Sequence, residues 1–305
     1  MRSFTGLTKR NLLVFFKDRQ SVMFSLLTSI IVLALYLLFL KGTFVDAMND
    51  VTGAYPGLSD IVTSDDINMF ANLILLTGII GSAMITVPYN CLTTVVNDRE
   101  KKIDYDILST PIKRWQIILA YFTAAALSSM ILTGIILTAG LFLINLQGDL
   151  HLEAADIVKA YGTVALGSVS ATAFFMIPVL FFKSTSASGA FFGILSAASG
   201  FVIGAYIPIS QFSDSVQTVC NLFPASHITI IMRNIFMNGI LGHVDDKLAG
   251  VDGGMFVKTV KELFSFKACF FDRNLGVLPM LSYVLAALGV CLVIQTVIFA
   301  KTYKK

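Results

Sequence analysis

Residues able to do covalent or metal chemistry are few and far apart in this chain. The three histidines, His151, His227 and His243, stand in separate stretches and make no ligand cluster. No His-Glu-x-x-His, Cys-x-x-Cys or Gly-x-Ser-x-Gly pattern occurs, so neither a zinc site nor a nucleophile elbow is written here. A Gly-x-x-x-x-Gly-Lys-[Ser/Thr] loop, the usual cradle for nucleotide phosphates, is also missing. His227, beside Ser226, reads as a helix-start or surface histidine. Cys91 and Cys291 fall in apolar stretches, whereas Cys220 and Cys269 fall in one polar region; a disulfide between them stays open, because two cysteines make no framework pattern.

The densest set of ionisable groups is "NDREKKIDYDILSTPIKRWQ", residues 97–116, which carries nine of the 41 Asp, Glu, Lys and Arg residues between long stretches that carry none. Ile103, Ile107 and Leu108 fall on one side of a short helix, with Arg99, Glu100, Lys101, Lys102, Asp104 and Asp106 around them, and Pro111 ends it. Such a helix suits a groove on a partner protein. A solvated loop satisfies the same periodicity equally well.

The elements that position this segment follow from composition. Of 305 residues 56% are hydrophobic and 13% charged, with mean hydropathy +0.79, against roughly a quarter charged in soluble domains. Six uncharged stretches, 21–40, 69–96, 115–146, 160–182, 189–209 and 277–300, each reach the roughly 20 residues that a helix needs to cross hydrocarbon. Their continuity argues for helices, since barrel strands would alternate. The expected fold is an all-α integral membrane protein of six transmembrane helices forming one domain, 1–305. The first stretch reads as an anchor because five more spans follow it and no small-residue cleavage site stands at its end.

Basic residues orient the bundle. Arg2, Lys9, Arg10, Lys17 and Arg19 precede the first span, Arg99, Lys101, Lys102, Lys113 and Arg114 lie between the second and third, and Lys301, Lys304 and Lys305 close the chain. All three groups belong in the cytoplasm by the positive-inside bias, with both termini. Basic residues beside membrane ends meet lipid headgroups, so the net charge of +3 implies no nucleic acid.

Residues 1–20 place Phe4, Leu7, Leu12 and Phe15 near one face, as in a helix lying in the membrane interface; a solvated basic lead-in is the plainer reading. Pro88 and Pro178 predict bends inside their spans. Gly189 with Gly193, and Gly200 with Gly204, space small residues for close helix packing near the centre of the bundle or in a dimer, although glycine is common in membrane helices anyway. Residues 210–276 read as an outer helical cap: two short surface helices over 213–239, broken at Pro224, and a third over 251–271.

A bundle whose spans hold no Asp, Glu, Lys, Arg or His offers no ion path or proton relay, so uphill transport must draw its energy from outside. At this point the chain resembles the permease subunits of type 2 ATP-binding-cassette transporters, mostly bacterial exporters of the cell membrane. The likeness rests on three places: Arg10 with Lys17, Asp18, Arg19 and Ser21; Arg99, Glu100, Ile107, Leu108, Thr110, Pro111 and Arg114; and Pro224, Ser226, Arg233 and Gly239. Lys102 replaces a glycine of the family pattern, Asp104 and Tyr105 replace its Leu-Glu, and the cap is longer than is usual.

The resemblance implies a cytoplasmic coupling helix between spans 2 and 3 built on Arg99, Glu100, Ile103, Ile107, Leu108 and Pro111. It also implies an outer re-entrant motif at Pro224 and Arg233, and a second permease protomer, identical or similar. Two copies of a separate ATPase subunit would hold ATP and Mg, so the chain itself is expected not to be an enzyme. An uncharged lining suits an amphipathic or hydrophobic cargo. A membrane enzyme or assembly factor with its site in the cap, and a secondary carrier or channel, are the alternatives.

Overall fold

The computed structural model describes residues 2–53, 61–248, 252–271 and 273–302; Lys304, Lys305 and cap residues 249–251 and 272 lie outside the described residues. The chain opens with α1 (Arg2–Lys17), and Asp18 then stops it and caps α2 (Arg19–Leu35) by accepting from the Gln20 and Ser21 amides, each at 3.2 Å. A π-helical turn (Tyr36–Leu40) carries α2 without a break into α3 (Lys41–Gly53). The first span therefore runs on for thirteen residues past the expected loop boundary.

The second span starts earlier than hydropathy indicates, because Thr63 and Asp66 form a capping box ahead of α4 (Ser64–Cys91). After α4 come α5 (Thr93–Glu100), α6 (Ile103–Ser109), α7 (Arg114–Asn145), α8 (Ala154–Val179) and α9 (Thr185–Val202). The remainder is α10 (Asp214–Asn221), α11 (Pro224–Leu248), α12 (Met255–Leu263), the strands β1 (Ala268–Phe270) and β2 (Arg273–Leu275), and α13 (Val277–Thr302). Among the described residues six helical segments are long and apolar enough to cross a membrane, so the chain is an all-α, multi-pass integral membrane protein.

Helix α4 is apolar around its whole circumference and every residue from Met69 to Cys91 is buried, as expected of a helix enclosed on all sides. It packs against α2, α7, α8, α9 and α11. Small side chains and hydroxyls, rather than charges, join these helices: Asn90 Nδ2 donates to the Ser21 carbonyl at 2.7 Å, and the Ser82 and Ser199 hydroxyls meet at 2.7 Å. The end of α11 is tied to the start of α4 by Lys247 Nζ, 2.8 Å from Asp66 Oδ2.

Several expectations are corrected. Pro88 and Pro178 lie inside their helices as expected, each in the last turn, Pro88 one turn before α4 yields to α5 at Leu92 and Pro178 next to the last residue of α8. The break at Pro224 is real, but the following helix runs to Leu248, and Pro224 to Arg233 are all buried rather than at a surface. The third cap helix shortens to α12, because Ser265 adopts a left-handed φ of 56° and the chain then forms the hairpin β1–β2, pairing Cys269 with Asn274. Cys220 is a buried free thiol, so no Cys220–Cys269 disulfide forms.

The close approaches to the fifth span are made by the glycines of α4 rather than by its own: Gly78 and Gly81 press on Ala205 and Ile203. Nothing among the described residues comes within 4 Å of a Cβ built on Gly189 or Gly193; Gly200 backs onto Tyr206 four residues beyond its own helix end, and Gly204, with φ of 68°, belongs to the turn that ends α9. Gly239 is the tightest site: a Cβ there would fall 1.7 Å from the His151 carbonyl oxygen. Gly239→Ala must push α11 away from the loop before α8, and is expected to cost about 2 kcal/mol. Thermal unfolding read by a dye reacting with the buried Cys91, Cys220 and Cys291 checks it; an unchanged midpoint would remove this contact from the account.

Candidate functional site

The charged segment splits into two helices joined by one strained residue. Arg99 and Glu100 end α5, which continues the second span, and Lys102, in the left-handed region at φ of 60°, turns the chain into α6. Arg99 and Glu100 are thus off the coupling helix on which they were expected. Their work is to hold neighbouring helix ends. Arg99 donates to the carbonyls of Leu180 at 2.7 Å and Phe182 at 2.6 Å, where α8 ends. Glu100 accepts from the Thr185 amide at 3.1 Å and its hydroxyl at 2.5 Å, where α9 begins. A cation at a helix C-terminus and an anion at an N-terminus are the favourable placements for the backbone dipoles. Two adjacent residues of α5 thereby hold the turn between α8 and α9.

Helix α6 closes the same end of the bundle. Ile103, Ile107 and Leu108 are half-buried, and Ile107 and Leu108 border a small void shared with Tyr121 and Phe299. The apolar side expected to meet a partner therefore leans on the chain's own core. Tyr105 points outward instead, 68% exposed, and exposed Pro111 leads into α7.

A clasp that sequence reasoning missed fixes α1 to this segment. Asp98 is 3% exposed, and the Arg10 guanidinium holds both its oxygens, Nη2 to Oδ1 at 2.8 Å and Nη1 to Oδ2. The Tyr121 hydroxyl donates to Oδ2 at 2.6 Å. The hydrogen bond that Arg10 donates to Asp98, above all, raises the Arg10 pKa further over its usual value despite partial burial. Arg10 had been singled out for its position in the family pattern, but one chain's spacing holds no sign of its partner 88 residues on.

At the opposite end, Arg233 on α11 is 1% exposed. Its Nη1 donates to the Phe264 carbonyl and, at 3.2 Å, to that of Ser265, while Nη2 donates to the Gly204 carbonyl at 3.3 Å. Burial lowers its pKa to about 10. Pro224 starts the same helix, where Ser226 Oγ donates to the carbonyls of Cys220 at 2.7 Å and Val202 at 3.0 Å. His227 is wholly buried rather than at a surface; its Nε2 donates to the Asn221 carbonyl at 2.7 Å, and burial brings its pKa down to about 4. The Pro224 and Arg233 region is thus a lock that joins the ends of α9, α10 and α12 through α11.

Among the described residues, both sets of contacts tie helix ends to one another through charged or polar side chains. The sequence model of one protein family, described as "ABC-2 family transporter protein", matches residues 52–300. No curated protein matches the chain.

Proposed function

The chain belongs to the ABC-2 family of transporter proteins, as a membrane permease component, and from that premise we propose that it is the permease of an ATP-driven exporter in the cell membrane, with both termini in the cytoplasm. The carrying observation is the join of Arg99 and Glu100 to the α8–α9 turn, beside the exposed α6. A push on α6 reaches α5 through Lys102, and from α5 it reaches α8 and α9 through two charged side chains and α1 through Asp98. Lys9, Arg10, Lys17, Arg99, Lys101, Lys102, Lys113, Arg114 and Lys301 sit around the spans' ends on this side, which supports a cytoplasmic placement.

The push comes, in this reading, from a separate ATPase subunit, present in two copies, that holds ATP and Mg2+; this chain supplies no phosphate loop and carries only the stroke. Tyr105 is the anchor for that subunit, since an exposed aromatic on a short charged helix is the kind of residue that dominates a small interface. The open faces of Gly189 and Gly193 on α9 meet a second protomer, where small residues allow close approach. The cargo is amphipathic or hydrophobic, in keeping with spans free of ionisable groups.

Purification from native membranes is expected to recover an ATPase bearing a phosphate-binding loop in about equal amount. In vesicles made with that complex, Tyr105→Ala should cut ATP-dependent transport about tenfold and weaken recovery of the ATPase, with thermal stability unchanged. Full transport by the variant, or by the chain without nucleotide, would overturn the coupling role.

A further inference from the structure

Between α12, the β1–β2 hairpin and the start of α13 lies a cavity of about 700 Å³, well inside the size range of small-molecule sites. Lys258, Lys261 and Lys267 line it, and none makes an ion pair with any described residue. Glu262 is the acidic residue among its lining, so the cavity carries an excess of positive charge. Amides of Gln217, Asn234 and Asn274 add hydrogen-bonding groups.

This cavity does not end at its polar wall. Asn234 and Val277 also border a second, apolar groove of about 350 Å³ that runs between α8, α11 and α13 past Gly162, Leu166, Ile231, Ile235 and Leu281. Val277 opens the last span, so the groove follows the spans inward while the lysines stay at their end. Asp156 and Lys159 at the groove's rim neutralise one another at 2.8 Å. Cationic and apolar parts therefore follow each other in the order in which a membrane lipid presents its headgroup and chains.

We infer that this composite site binds an anionic phospholipid, its phosphate among Lys258, Lys261 and Lys267 and an acyl chain in the α8–α11–α13 groove. The inference is independent of which cargo is moved and of the coupling role of α6. It fits charge to charge and apolar length to apolar length, and a free phosphate compound would use the first half alone. Each lysine near a lipid surface favours an anionic headgroup, so three together should give a preference of at least tenfold over a zwitterionic one.

Native mass spectrometry of the purified protein in detergent, titrated with phosphatidylglycerol and with phosphatidylcholine, tests this directly. Phosphatidylglycerol should bind at least tenfold more tightly, and the combined Lys258→Glu, Lys261→Glu and Lys267→Glu variant should lose that preference. Gly162→Leu is the second arm: a Cβ at 162 meets nothing within 4 Å of its own chain, which leaves room for a side chain to enter the groove that Gly162 lines. It should weaken both lipids severalfold at an unchanged unfolding midpoint. Millimolar glycerol 3-phosphate or inorganic phosphate should not displace phosphatidylglycerol. Equal binding of the two lipids, a preference that survives the triple lysine variant, or full displacement by the free phosphates together with a neutral Gly162→Leu would each overturn the lipid assignment.

Discussion

Replacing Arg233 by methionine is expected to lower stability by on the order of 3 to 5 kcal/mol, a large part of what holds a domain folded. The side chain is 1% exposed, and the carbonyls of Gly204, Phe264 and Ser265 all converge on its guanidinium. Methionine fills similar volume but donates nothing, which leaves buried acceptors unpaired, each at about 1 to 3 kcal/mol. Ser265 is held at positive φ, a conformation that costs a residue with a Cβ energy and persists only where its surroundings fix it, whereas Gly204 adopts it freely. With the cation gone, the turn after α9 and the end of α12 should loosen together. A drop of ten degrees or more in the unfolding midpoint, with faster dye labelling of buried Cys220, is the expected readout; Arg233→Lys should recover only part, since one ammonium cannot match the fork of two Nη groups. Wild-type stability in the methionine variant would sink the lock.

Asp98→Ala is expected to cost about 3 kcal/mol, at the lower end of what breaking a buried charge pair brings. It removes the acceptor 2.6 Å from the Tyr121 hydroxyl and deprives Arg10 of both its carboxylate bonds. Because Arg10 keeps a third of its side chain exposed, water recovers some of the loss, and Arg10→Ala should be milder than Asp98→Ala. A double-mutant cycle between the two positions checks the pairing: the double variant should lie close to Asp98→Ala alone. Strict additivity would show that the clasp contributes nothing. In the transport assay, Asp98→Ala should also lower ATP-dependent flux by more than its stability loss explains, because α1 no longer moves with α5.

Much of this architecture is legible in the sequence because a bilayer imposes a simple demand. Uninterrupted apolar runs had to be helices, and α7 and α13 begin and end within two residues of the hydropathy boundaries. Boundaries slipped where capping rather than hydropathy sets them, as at Thr63 with Asp66, and where the helix simply continues, as from Leu40 into α3. Burial of α11 was missed because its polar residues, read one at a time, suggest a surface; Ser226 and Arg233 instead satisfy backbone carbonyls of segments far from them in the chain, and His227 that of Asn221 in the preceding helix. The same holds for Asp98. A carboxylate in a charge-dense stretch looks solvated until a guanidinium from another helix is seen beside it.

Within one chain, the small-residue spacing of α9 finds no helix pressed on Gly189 or Gly193. It marks faces that can approach closely, but it does not say which helix will use them: the glycines pressed against other helices or loops include Gly78 and Gly81 on α4, Gly140 on α7, Gly167 on α8 and Gly239 on α11. Gly78 and Gly81 lie on the one helix surrounded by others, where room is scarcest.

Helix α9 is fastened along its length, by Ser199 to Ser82, by Ser188 to the Tyr89 hydroxyl at 3.0 Å, and by Thr185 to Glu100. Rivets at three heights forbid it from sliding or pivoting alone. Any doorway that α9 helps to frame must therefore swing with α4 as a single panel, and its hinge line belongs where the panel meets lipid or another subunit.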